Sequence, residues 1–179
     1  PPRGFSAEWK WLQARADEDP RIILIAESLP RNELLALYGC CDVFLSLHRS
    51  EGFGRGMAEA LQLGVDVIAT NFGGNTDFCN GPLAHPVQWR KAPVPRGSYP
   101  HADGHTWADP NLNHAAQLCQ KVAERRIAIL NNPNSLDPSR DTLILNKYRK
   151  QFTFAEVGLC YQKRLEALWA ESKSIKHGR

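Results

Sequence analysis

The stretch VFLSLHRSEGFGRGMAEALQLGVDVIAT, residues 43–70, decides the fold. Val43-Phe44-Leu45-Ser46-Leu47 is a short apolar run, the pattern of a strand buried on both faces. A glycine-rich turn follows, and Met57 to Leu63 has helical spacing with Gly64 as its stop. Val65-Asp66-Val67-Ile68-Ala69-Thr70 then reads as another strand, ending in the turn Asn71 to Thr76. Upstream the pattern repeats. Ile22-Ile23-Leu24-Ile25 reads as a strand, and Ser28-Leu29-Pro30 opens a helix over Arg31 to Tyr38 that Gly39 closes. Three apolar strands joined through helices of about ten residues predict a parallel sheet with right-handed crossovers. The fold class is α/β, a doubly wound parallel sheet. Ligands in such sheets bind beyond the carboxyl ends of the strands, here the loops after Ala26, Leu47 and Thr70.

Downstream, residues 82–110 are rich in proline and glycine. They read as one short strand at Val87–Trp89 within a long irregular loop, and loops of that length are often functional. The remainder reads as helical: Leu112 to Leu130, Asp141 to Lys150, and a helix opened by a capping box at Thr153-Phe154-Ala155-Glu156. The tail from Glu171 is polar and is expected to fray. The whole chain, 1–179, reads as one domain with residues 1–20 and 172–179 peripheral.

Composition narrows the class. A 179-residue chain with 42% hydrophobic and 23% charged residues is ordinary for a globular protein. Its net charge of +3 is spread along the chain, which argues against nucleic-acid binding. No apolar run approaches the roughly eighteen residues of a membrane span. Cys40, Cys41, Cys79, Cys119 and Cys160 make an odd set without metal-ligand spacing, as expected of reduced thiols in the cytoplasm. His101 and His105 lie four apart with Asp103 between them, which could resemble a metal site on a helix, but Pro100 and Gly104 make that segment a loop. No metal site is expected.

The chemistry lies in Ser50-Glu51-Gly52-Phe53-Gly54-Arg55-Gly56-Met57-Ala58-Glu59. One carboxylate sits in a strand-to-helix loop, and a second sits on the first turns of the helix. The glycines between them permit close backbone approach to a ligand. The unpaired amides and dipole of the helix start suit a phosphate or diphosphate. Glu51 and Glu59 would be repelled by phosphate and suit sugar hydroxyls instead.

This Glu-x7-Glu spacing within EGFGRGMAEAL resembles the signature of family-four retaining glycosyltransferases, also grouped as glycosyl transferases group 1. LLALYGCCDVFLSLHRS before it, LGVDVIATNFGGNTDF after it, and WADP at Trp107–Pro110 extend the likeness over most of residues 21–170. The resemblance implies the Rossmann-like, donor-binding C-terminal lobe of a two-lobed GT-B enzyme. It implies a UDP-sugar or GDP-sugar donor, no metal, and attack on the face from which the leaving group departs, without a protein nucleophile. Glu51 would bond the donor sugar's hydroxyls and is the one catalytic candidate. The amides of Gly52, Phe53 and Gly54 would approach sugar and diphosphate, and Glu59 would hold the ribose. Leu29 would face the base, Gly74 would close the crevice, and Arg55 is a cation beside the helix start.

One departure stands out. The Arg and Lys with which the family grips the diphosphate have no counterpart among Arg3, Lys10 and Arg15. The chain is therefore expected to be a truncated lobe, with the acceptor, a glycan or a lipid-linked sugar, bound by an N-terminal lobe. The resemblance is also compatible with peripheral membrane association of a longer enzyme. An unpaired sheet edge invites dimerisation of the isolated lobe. Two other readings compete. A non-catalytic nucleotide-sugar-binding module would keep the fold without turnover. A dinucleotide-binding oxidoreductase would need G-x-G-x-x-G after its first strand, whereas Gly52, Gly54 and Gly56 give G-x-G-x-G. Among the remaining side chains, Trp107 is the best aromatic candidate for a functional loop. His48 fits a structural role as well as an active-site one, and Asp77 and Asp109 read as turn and cap residues.

Overall fold

The computed structural model describes residues 6–132 and 138–177, and the chain forms two compact units, Pro1–Leu34 and Leu35–Arg179. In the first unit, helix α1 (Ser6–Glu18) is followed by a turn at Asp19, whose carbonyl accepts from Ile22 N–H at 2.9 Å and whose carboxylate holds Arg21 at 2.6 Å. The strand expected at Ile22–Ile25 is absent: the segment pairs with no other strand, and Ile23 is 79% exposed. Strand propensity reports a fit to a pleated, half-buried surface, and without a neighbouring ladder it forms nothing. Helix α2 (Arg31–Gly39) begins after Pro30, whose carbonyl accepts from Leu34 N–H.

The second unit is built on a parallel sheet of β1 (Val43–Ser46), β2 (Asp66–Thr70) and β3 (Ala84–Val87), in that spatial order. Every residue of β2 is buried. Successive side chains serve opposite faces, as a period of two requires. Val67 and Ala69 join Met57, Ala60 and Leu61 of α3 (Arg55–Leu63) and Tyr148 of α5 (Pro138–Gln151). Ile68 and Val87 pack with Ala115 and Val122 of α4 (Leu112–Asn131). Helices therefore cover both faces, and each large apolar side chain so buried contributes about 1.5–3 kcal/mol. Gly64 ends α3 in the left-handed region at φ 82°, with its N–H donating to Leu61 O. The architecture is the expected Rossmann-like α/β lobe.

Residues 82–110 are more ordered than their prolines imply. Beyond β3, strands β4 (Trp89–Pro93) and β5 (Thr106–Pro110) form an antiparallel hairpin in which Trp89 faces Pro110 and Pro93 faces Thr106. The expected single strand at Val87–Trp89 is thus two strands that part at Gln88. Pro93 and Pro110 occupy strand ends, where proline is tolerated in a two-stranded ribbon. Asp109 is a strand residue rather than a cap. Its carboxylate accepts from Arg90 Nε at 2.9 Å, while Asn111 caps α4 by accepting from His114 N–H at 3.0 Å. At α6 (Phe154–His177) only half of the capping box forms: Thr153 Oγ1 accepts from Glu156 N–H, but Glu156 reaches Lys150 at 3.1 Å instead of its own cap. This helix continues through the tail expected to fray as far as His177, and residues 178–179 of that tail lie outside the described residues.

Asp66, fully buried at the start of β2, was not singled out from the sequence. His85 Nε2 lies 2.7 Å from its Oδ1, Arg126 Nη2 lies 3.3 Å from its Oδ2, and Arg125 bonds the same oxygen. The carboxylate thereby fastens β3 and α4 to the amino-terminal edge of the sheet. Because the Arg125 and Arg126 side chains are 41% and 35% exposed, solvent screens part of this attraction. Asp66→Asn should still cost about 2 kcal/mol, read as a lowered urea midpoint at unchanged slope.

All five cysteines are free. Burial raises the Cys79 thiol to about 11, against a smaller lowering by Asn75. A thiol whose folded pKa exceeds its unfolded value of 9.0 favours the native state up to about pH 9, and that contribution fades as pH rises towards 11. Iodoacetamide at pH 8 should therefore label exposed Cys40, Cys41 and Cys160 and spare Cys79. Mass spectrometry of peptides from native protein checks this, and labelling of Cys79 at the same rate would contradict the burial argument.

Candidate functional site

The loop after β1 and the loop after β2 meet at the carboxyl edge of the sheet. His48 ties them together: its Nε2–H donates to Phe72 O at 2.9 Å, and its Nδ1 faces the Ser46 hydroxyl at 3.0 Å. Phe72 O can only accept, so Nε2 carries a proton and both ring nitrogens are engaged. His48 thus cross-links the two loops. Beyond it, Gly74 N–H donates to Glu51 O at 3.2 Å. Gly73 has φ 96°, and a Cβ there would meet Glu51 O at 2.5 Å; a Cβ on Gly74 would overlap Gly52 O. The second glycine is required by space alone, the first by space and conformation together.

Gly54 precedes α3 in the left-handed region, φ 92° and ψ 52°. A Cβ there would also press on Met57 Cε at 2.5 Å and Asn75 Cβ at 3.2 Å. Gly56 allows Phe44 of β1 to approach the first turn of α3, since a Cβ would meet its Cζ at 2.9 Å. The sequence thus aims the helix start at the loop edge by removing side chains where backbone and rings must pass. The amides of that first turn have no partner within the helix, and the dipole adds partial positive charge there.

Around this seat the predicted residues divide. Glu51, Gly52, Phe53, Gly54 and Gly74 come together. The Phe53 ring packs on Phe78 and Phe152, with centroids 5.0 and 5.7 Å away, while the residue stays half-exposed. Glu59 lies a turn further along α3 with its side chain largely buried, 3.8 Å from the exposed guanidinium of Arg55. Leu29 belongs to the first unit, in the irregular segment before α2.

Glu51 and its neighbours open onto a cleft of about 560 Å³, with Ser50, Glu51 and Gly52 on one side and the β4–β5 loop on the other. Tyr99, His101, His105 and Trp107 line that second wall. Of this wall the sequence singles out Trp107 as a loop candidate and His101 and His105 only as a rejected metal pair, and it offers no sign of Tyr99. The alternation around Trp89–Pro93 and the turn glycines Gly97 and Gly104 were the available signal of a hairpin. His101, Asp103 and His105 lie in its turns, and among the described residues no group of three or more His, Cys, Asp or Glu could hold a metal. A second cleft of about 630 Å³ lies beside it, lined by Arg49, Trp89, Arg90 and Asp109. The Arg49 guanidinium lies 4.7 Å from the Trp107 ring centroid and 3.7 Å from Asp109, so this stacked pair stands between the two clefts.

In a parallel α/β sheet, a helix start at the carboxyl edge with unpartnered amides is a place where anions commonly bind. Residues 13–80 match the family model described as glycosyl transferases group 1, a span that contains the whole Ser50–Glu59 segment and Gly74. Over that span the chain is similar to a glycosyltransferase domain of the GT-B kind. The β4–β5 hairpin, α4, α5 and α6 fall beyond the match. No curated protein matches the chain.

The backbone contact makes a sharp prediction. Gly74→Ala should destabilise the protein by about 2–3 kcal/mol, because the new methyl meets a backbone carbonyl that cannot swing aside. Gly39→Ala, at a position with open space around it, is the control. Thermal melts of both variants check this, and equal melting temperatures would show that the two loops are not in contact.

Proposed function

We propose that the chain is the donor-binding lobe of a retaining glycosyltransferase and takes a nucleoside-diphosphate sugar, UDP- or GDP-linked. One observation carries the reading. A glycine-lined helix start lies between two carboxylates, Glu51 in the loop before it and Glu59 one turn into it, inside the span that matches group 1 glycosyltransferases. The diphosphate sits at the start of α3, against the amides of Gly52, Phe53 and Gly54. Glu51 takes hydroxyls of the transferred sugar on one side, and Glu59 takes the ribose on the other.

In the transfer step negative charge grows on the departing diphosphate, and amides already aimed at it stabilise that charge without reorganisation. No metal is required in this scheme. Glu51 acts by fixing the sugar rather than by attacking it, and the acceptor hydroxyl adds on the face the diphosphate leaves, passing its proton to the departing diphosphate oxygen. Arg55 is well placed to add a cation, although its pairing with Glu59 ties it partly to the ribose position. The acceptor, a glycan or lipid-linked sugar, is bound outside this lobe, and the enzyme works in the cytoplasm, with peripheral membrane association of a longer chain. Among the described residues no helix is long and apolar enough to cross a membrane.

Isothermal titration of UDP, GDP and their hexose conjugates tests the reading. Glu59→Ala should weaken nucleotide binding about tenfold, equivalent to about 1.4 kcal/mol. Glu51→Ala should leave free nucleotide unaffected and erase the preference for the sugar conjugate. Stabilisation by nicotinamide dinucleotides alone would sink the proposal in favour of an oxidoreductase.

A further inference from the structure

The β4–β5 hairpin lies beyond the matched span, and its loop, Val94 to His105, lines the same cleft as Glu51. We propose that this loop and Ser50–Gly52 together form a subsite for one pyranose ring, with Tyr99 as its stacking platform. The proposal deepens the donor reading by giving the sugar a second wall, but pyranose recognition itself can be tested without nucleotide.

Pyranose rings demand two kinds of partner at once. Their hydroxyls need donors and acceptors, while their flat C–H faces favour an aromatic surface. The cleft offers both. The Glu51 carboxylate and Ser50 hydroxyl lie on one side, with the His101 and His105 imidazoles and the Tyr99 and Trp107 rings on the other. Its volume of about 560 Å³ falls within the usual range for small-ligand sites.

The walls are held in place. Ala108 N–H donates to Arg49 O at 2.9 Å, which clamps the hairpin to the residue before Ser50. Val94 N–H donates to His105 O at 3.0 Å and closes the base of the loop. Arg49 stacks on Trp107 and fixes the shared wall.

Two features mark the loop as shaped for something other than stability. Tyr99 is 70% exposed and adds nothing to either core cluster. His101 is the one described non-glycine residue with positive φ, at 56°. A side chain in that conformation is strained, and such strain collects at binding sites.

The test uses the 179-residue chain with UDP, GDP, UDP-glucose, GDP-mannose, methyl α-glucoside and methyl α-mannoside as probes, by isothermal titration and saturation-transfer NMR. Tyr99→Ala should weaken at least one sugar-bearing probe about tenfold and leave UDP and GDP within about twofold. Tyr99→Phe, which keeps the ring, should bind like the wild type. Loss confined to the nucleotide sugars identifies the transferred sugar as the occupant. Loss confined to the free glycosides identifies an acceptor sugar. Unchanged binding of every sugar-bearing probe, or equal loss for UDP and GDP, overturns the subsite. If nucleotides bind in a Glu59-dependent way while Tyr99 moves nothing, the subsite fails and the donor reading stands. If glycosides depend on Tyr99 while no nucleotide binds, the donor reading fails and the subsite stands. A chain that binds none of the probes loses both.

Discussion

The candidate site depends on the contact between the backbone of Gly73–Gly74 and that of Glu51–Gly52. It joins the loops that follow β1 and β2, and it exists only because neither glycine has a side chain. From it the neighbouring geometry follows. His48 bridges Ser46 and Phe72 just behind the contact. Asn75, buried one residue beyond it, donates from Nδ2 to Thr70 O, and the short turn Gly74–Asp77 then delivers Phe78 into the core. Phe53 packs onto Phe78 from the other loop. The loop bearing Glu51 is thus pinned at its backbone on one side and by a ring on the other, leaving its carboxylate as the part free to meet solvent or ligand.

Much of the second unit was legible from the sequence, because its elements declare themselves locally. Val43–Leu47 and Val65–Thr70 are apolar runs bounded by turn residues, and Gly64 supplies the stop that α3 uses. Ile22–Ile25 is at least as apolar as these runs and forms no strand. The difference lies in partners, which no local pattern records: β2 has a neighbour on each side, whereas the isoleucines of the first unit have none. The error at residues 82–110 has the opposite origin. Pro93 and Pro110 punctuate a hairpin at its ends, and proline was read there as a breaker rather than as a boundary.

The site shows the same division. Glu51, Gly52, Gly54 and Glu59 lie within one strand-turn-helix unit, so spacing alone placed them on a common edge. Gly74 follows the next strand and could be placed beside them because parallel strands end together. The hairpin wall was not legible. It reaches Glu51 through the pairing of Ala108 with Arg49, a contact between remote residues that depends on the register of β5.

The carboxylates of Asp66, in β2, and Glu51, in the loop after β1, are handled in contrasting ways. Asp66 enters the sheet at its amino-terminal edge with no exposed surface, and His85, Arg125 and Arg126 converge on it. A charge so enclosed must be compensated by the fold itself, because water cannot reach it. Glu51 leaves the sheet at its carboxyl edge and remains half-buried beside a cleft. A carboxylate kept at the margin of solvent retains hydrogen-bonding capacity that hydroxyl groups can replace water in satisfying. Exchanging the two environments would lose both properties: Glu51 enclosed by arginines could not take up the role proposed for it, and Asp66 opened to water would no longer hold α4 to the sheet. The polarity of the parallel strands keeps them apart, with the cross-linking charge at one edge and the binding loops at the other.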